Sequence, residues 1–167
     1  MSKRSTATVR ETAVAPATSA RAGSVLVVGE DLVIESRERL EIIDVTDQVM
    51  AFVRQHAVTE GMLTVWSTHT TCALFVNEYQ KALLGDFRKC LEEFVPHDRY
   101  YLHNDPAHSD CDRMNADAHV RAMLLGHSVT LPVSGGEAVM GQWQRLLAAE
   151  LDGPRRRTLR LQLWGIA

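Results

Sequence analysis

The chain is short of cysteine, of long apolar runs and of any large charge excess, and each shortage removes a class of protein. Its three cysteines, Cys72, Cys90 and Cys111, include no C-x-x-C pair and are too few and too irregularly spaced for a disulfide framework. A reducing, cytoplasmic setting is expected. No stretch approaches the roughly 20 apolar residues that a membrane-spanning helix needs, so a soluble chain with no membrane partner is expected. The formal net charge is -3 and the pI about 6.1. Without a large positive field there is little to draw in a phosphate backbone, and nucleic acid is not an expected partner. There is no internal repeat. There is also no D-D-x-x-D-type acidic run to hold magnesium on a diphosphate.

What is present fits one globular domain. Of 167 residues, 46% are hydrophobic, enough for a single core at this size. Residues 1–22, rich in Ser, Thr, Ala and Arg, have no secretory-signal core and read as a disordered tail ahead of a domain over 23–167. Their Arg-rich, acid-poor composition also resembles a transit peptide. Strands are expected at Val25–Val28 and Asp31–Ser36 around a Gly29-Glu30 turn, and at Glu41–Val45. Asp47 is positioned to cap a helix through His56. Alternation over Met62–Thr68 and Cys72–Val76 gives two further strands. Tyr79–Phe94 carries Leu83, Leu84, Phe87, Leu91 and Phe94 at helical spacing, and Pro96 stops it.

The polar stretch Tyr100–Asp112 reads as a long loop, and such loops are often functional. A helix over Asn115–Leu125 follows, ended by Gly126. Ser128–Val133 and Ala138–Met140 read as strands around Gly135-Gly136. Gln142–Leu151 contains strong helix formers, but the hairpin signal Asp152-Gly153 after it favours a strand. In the final strand Leu159, Leu161 and Leu163 share one face with Arg155 and Arg157. A guanidinium on that face needs a carboxylate, a phosphate or carbonyls, unless it snorkels outward at the strand end.

The most informative segment is Ser67-Thr68-His69-Thr70-Thr71-Cys72, which sets four hydroxyls and an imidazole inside an otherwise apolar stretch. Buried polar groups cost free energy unless satisfied, so crowding of this kind suggests a lined pocket. A Thr-rich edge strand is the plainer reading.

Other residues in the same order resemble one family. His69-Thr70-Thr71, Asn77-Glu78, Asp86, Tyr101-x-His103, Asn115-Ala116-x-Ala118-His119, Leu125-Gly126-x-Ser128, Leu131-Pro132-Val133, Gly141-Gln142-Trp143-Gln144, Glu150 and Asp152-Gly153-Pro154-Arg155-x-Arg157 together resemble the secondary thiamine-phosphate synthases, the YjbQ-like proteins. The likeness runs from about Leu32 to the C-terminus. It departs from the family pattern in the Arg-rich N-terminal extension and in Cys111-Asp112-Arg113-Met114.

The resemblance implies a compact α+β fold of antiparallel sheets, sandwich-like, packed with a few helices, and assembly as a homotrimer. It implies a weak synthase activity that joins a pyrimidine diphosphate to a thiazole phosphate. On matched positions, His69, His103 and His119 are the expected catalytic residues and the ligands of a divalent metal, zinc or magnesium; three imidazoles with an open position form a catalytic arrangement. Thr70, Thr71, Asn77, Asn115, Gln142, Trp143, Arg155 and Arg157 are the expected contacts to a small phosphorylated or anionic ligand. Asp86 either orients an imidazole or is an exposed acid, and Trp143 is either core or a stacking platform. Cys72 and Cys90 read as core; His56, His97, His108 and His127 read as solvated. Two functions stand: an enzyme acting on phosphorylated heterocycles, or a trimeric protein that binds a metal or small anion without turnover.

Overall fold

Some strands of this chain bury both faces while others bury one, and that difference sets the architecture. The computed structural model describes residues 22–167, so the expected tail lies outside the described residues apart from Ala22. The elements run β1 (Val25–Glu35), β2 (Glu41–Asp44), α1 (Thr46–Gln55), β3 (Glu60–Ser67), β4 (Cys72–Asn77), α2 (Lys81–Phe94), a 3₁₀ turn (Leu102–Asn104), α3 (Ala116–Leu125), β5 (Ser128–Ser134), β6 (Glu137–Ala138), β7 (Arg145–Glu150) and β8 (Arg156–Ile166). They form the expected α+β fold, with two antiparallel sheets ordered β1-β8-β3-β5-β6 and β2-β7-β4.

The five-stranded sheet alternates. Leu159, Leu161 and Leu163 of β8 point into a core shared with Leu63 and Val65 of β3, Phe52 and Val53 of α1, and Leu74 and Leu146 of the other sheet. Each fully buried leucine contributes about 2 kcal/mol through apolar burial. The three-stranded sheet lies between two apolar layers. Cys72, Leu74, Leu146 and Ala148 face that shared core, while Ala73 and Ala149 face a second cluster with Ala118 and Ala122 of α3. A strand buried on both faces loses its alternation and reads as a continuous apolar run, which is why Leu146–Glu150 imitates a helix in sequence.

Several sequence expectations are corrected. No turn interrupts Gly29-Glu30: β8 pairs with β1 continuously from Val25↔Ile166 to Glu35↔Arg156. The N-terminus of α1 is not capped by Asp47. Asp44 Oδ1 accepts the Thr46 amide at 2.9 Å and its hydroxyl at 2.6 Å, while Asp47 pairs with Arg145. The strand expected at Ala138–Met140 is only Glu137–Ala138, closed onto β5 by Gly135 and Gly136 at positive φ. Asp152-Gly153 is not a hairpin, because β7 and β8 belong to different sheets; it is the corner between them. On α2, Cys90 and Phe94 are exposed rather than buried. His56 is not fully solvated: its ring packs edge-on against Phe52 and its Nε2 is buried. His127 is half-buried.

Candidate functional site

Three elements deliver the three family-matched histidines to one place. His69 lies in the Thr68–Thr71 connection between β3 and β4, just past the strand on which the sequence places it. His103 sits in the 3₁₀ turn of the polar loop and His119 one turn into α3. With Thr68, Thr70, Thr71, Cys111, Arg113, Asn115 and Arg157 they line an open cleft of about 370 Å³.

The loop and α3 are fastened together beside the cleft. Asn104 Oδ1 accepts the Ala116 amide at 3.0 Å and so caps α3 from outside, satisfying one of the orphan donors of a helix N-terminus. Asn115 is therefore free for another partner, and its Nδ2 donates to Asp152 Oδ2 at 2.9 Å. Asp152 also accepts from Arg155 Nη2 at 2.9 Å, with Arg113 Nη1 at 3.8 Å.

A buried ion pair forms the floor. Glu150 is wholly buried; its carboxylate accepts Arg157 Nε and Nη2, both at 2.6 Å, the amides of Leu151 and Asp152, and the Ser36 hydroxyl. Arg157 Nη2 also donates to Thr71 Oγ1 at 2.9 Å. The inward guanidinium thus finds a carboxylate and needs no phosphate to satisfy it. Burial, the largest single influence, would lower the Arg157 pKa, but the Glu150 hydrogen bonds and charge, with smaller contributions from Cys72 and Asp152, together outweigh it and raise it. Around the cleft Arg113, Arg155 and Arg157 face Glu150 and Asp152. The surplus positive charge is carried by Arg113, whose side chain is 59% exposed and only loosely paired.

Burial, and then the Arg157 charge, hold His69 below the ordinary histidine value; Glu150 partly opposes them. Burial, and then neighbouring His103, likewise lower His119. The His103 and His119 rings meet edge to face with centroids 5.1 Å apart. Both rings line the cleft.

A three-histidine metal centre does not fit this arrangement. His69 Nε2 already accepts the Thr158 amide at 2.8 Å, and among the described residues no three His, Cys, Asp or Glu side chains are grouped to hold a metal ion.

The cleft gathers Thr70, Thr71, Asn115 and Arg157 from the sequence-derived set and leaves out Asn77, Gln142, Trp143 and Arg155. Asn77 borders an apolar groove with Phe75, Phe87 and Leu125. Gln142 and Trp143 lie exposed in the turn before β7, so Trp143 is not core. Arg155 is committed to Asp152, and Asp86 is exposed on α2. Sequence reasoning placed none of Cys111, Arg113, Glu150 and Asp152 at the site, although Glu150 and Asp152 stand among the family-matched positions and Glu150 is a lone carboxylate ending the apolar run Leu146–Ala149.

Residues 30–166 match the sequence model of the family described as UPF0047 protein, YjbQ-like. A UPF0047 protein of Methanothermobacter thermautotrophicus is 40% identical over 136 residues, covering 81% of this chain and 91% of that protein. One from Archaeoglobus fulgidus is 43% identical over 129 residues, 76% of this chain and 94% of that protein. Among solved structures, a YbjQ-like protein of unknown function from Sulfolobus solfataricus superposes with a TM-score of 0.79 at 31% identity, covering 85% of this chain and 99% of that one. A hypothetical protein from Aeropyrum pernix gives 0.76 at 33%, covering 83% and 98%. Among the described residues no helix is long and apolar enough to cross a membrane.

Proposed function

The chain belongs to the UPF0047 family of YjbQ-like proteins, and from that premise we propose that its histidine cleft binds a small phosphorylated molecule and acts on it by acid–base and electrostatic catalysis. The observation that carries this reading is the convergence of His69, His103 and His119 from three separate elements, beside the loosely paired Arg113. The reaction to test first is the joining of a pyrimidine diphosphate to a thiazole phosphate. In that step the thiazole nitrogen forms a bond to the pyrimidine methylene while the carbon–oxygen bond to diphosphate breaks, and diphosphate leaves with the electron pair. No proton need leave either substrate. The histidines would therefore serve the departing anion, with His103 or His119 donating a hydrogen bond or proton to its oxygen and Arg113 balancing its charge.

The test is formation of thiamine phosphate and diphosphate from the two substrates by purified protein. Activity should fall by about 100-fold in His119→Ala, within the usual range for a lost general acid. No product, or equal product from wild type and His119→Ala, would remove the synthase reaction.

A non-catalytic reading is favoured by one observation: Arg157 and Arg155 are both neutralised inside the protein, leaving little fixed charge for a leaving diphosphate. On that reading the cleft holds a small anion without turnover, and phosphate raises the melting temperature although no product forms. Assembly as a homotrimer is part of either proposal, supported by exposed Leu102, Met123, Leu124 and Trp164; light scattering on the full chain tests it, and a monomeric mass would remove it. The free thiols of Cys72, Cys90 and Cys111 suit a cytoplasmic protein.

A further inference from the structure

Resting on that reading of the cleft, we infer that His69 acts there as a neutral hydrogen-bond donor locked in its Nδ1–H tautomer, so that the ligand atom seated against it is an acceptor such as a phosphate or carboxylate oxygen. The lock follows from donor chemistry. A backbone amide can only donate, and the Thr158 amide lies 2.8 Å from His69 Nε2. Nε2 must therefore present its lone pair, and the single proton of the neutral ring sits on Nδ1.

The strand and the connection are tied to one another at this point. Thr158 accepts the Thr68 hydroxyl on its carbonyl at 3.0 Å while its amide holds the ring of the next residue. The Ser67 hydroxyl bridges the His69 backbone from the other side, 3.4 Å from both its amide and its carbonyl. Arg157, one residue before Thr158, is itself fixed by Glu150 and Thr71. Slipping or rotating the ring would leave the Thr158 amide without its partner.

The charged groups around the ring agree with a neutral donor. Arg157 and Glu150 act on it from β8 and β7, and His103, His119 and Arg113 share its cleft. Burial and Arg157 disfavour a second proton. Nδ1 has no hydrogen-bond partner among the described residues, and the ring lines the cleft. Seated against His69, a cationic or purely donating ligand group would face an N–H that cannot accept from it, with the Arg113 guanidinium on the same cleft; an oxyanion there meets donors. His69 is thereby separated from His103 and His119, which keep the acid–base role.

The test uses the full chain labelled with ¹⁵N. Long-range ¹⁵N–¹H spectra of the imidazole rings at neutral pH, with His69 assigned from its loss in His69→Gln, should show a protonated Nδ1 and an unprotonated Nε2. Inorganic phosphate is the binding probe, read as a rise in melting temperature. Glutamine can accept the Thr158 amide through Oε1 and donate through its amide nitrogen, so His69→Gln should keep phosphate affinity within about threefold. His69→Phe, which fills the space without either function, should lose about 10- to 100-fold, the range for one hydrogen bond to a charged group. An Nε2–H tautomer overturns the inference, as does undiminished phosphate binding by His69→Phe. If wild type shows the Nδ1–H tautomer but no response to phosphate, the anion-site function falls while the tautomer assignment stands.

Discussion

Replacing Glu150 with Gln should destabilise the protein far more than its near-identical shape suggests. In the native state the carboxylate accepts hydrogen bonds from Arg157, two backbone amides and Ser36 with no exposure to solvent. Glutamine keeps one oxygen but turns an NH₂ toward those donors, and the Arg157 guanidinium is left buried without a counter-charge. Breaking a buried pair in this way costs about 3–5 kcal/mol, a large part of the 5–15 kcal/mol typical of a whole domain. At about 2–4 °C per kcal/mol for a chain of this length, the melting temperature should fall by roughly 6–20 °C. Denaturation followed by circular dichroism measures it. The double replacement Glu150→Leu with Arg157→Met removes both charges together and should recover much of the loss, because well-packed apolar residues often match a buried pair. It should not restore the cleft, since the Arg157 tie to Thr71 is gone. A cost below about 1 kcal/mol for Glu150→Gln would show that the pair is hydrated and that the cleft floor is not the rigid support described.

His69 and His119 both have pKa values held below the ordinary histidine value of 6.5, so the unfolded chain binds more protons near that pH. Stability should be full above about pH 6.5 and fall as pH drops through it; urea midpoints that do not change between pH 7.5 and 5.5 would contradict this. Burial pushes the Cys72 thiol up to about 11 while Cys90 is exposed, so at pH 8 a thiol reagent should label Cys90 rapidly and Cys72 only on unfolding. Rapid native labelling of Cys72 would place it wrongly in the core. Asp44→Ala should cost about 1–2 kcal/mol in denaturant titrations, through loss of the cap on Thr46 and the pair with Arg145. Trp143→Ala, at an exposed position, should stay within about 0.5 kcal/mol of wild type.

Local patterns in the chain carried much of the fold. The alternation of Leu159, Leu161 and Leu163 specified which face of β8 turns inward, and the apolar spacing of residues 79–94 specified α2, because both signals are repeats that a half-buried element needs. The ordered motifs around His69, His103 and His119 identified the family and, with it, part of the cleft: His69, Thr70, Thr71, His103, Asn115, His119 and Arg157, but not Cys111 or Arg113. Tertiary structure decided the rest. Whether residues 145–150 are strand or helix depended on a second apolar layer, α3, that erases alternation in a strand buried on both sides. Whether Asp152-Gly153 joins a hairpin or a corner depended on β7 and β8 entering different sheets. Arg157 needed an anionic or hydrogen-bonding partner on sequence grounds, but that the partner is Glu150 rather than a ligand follows from where the corner at Gly153 returns the chain. Likewise, nothing in the spacing of His69 and Thr158 announces their hydrogen bond. Its donor and acceptor lie 89 residues apart in the chain, and only the pairing of β8 beside β3 brings them within reach.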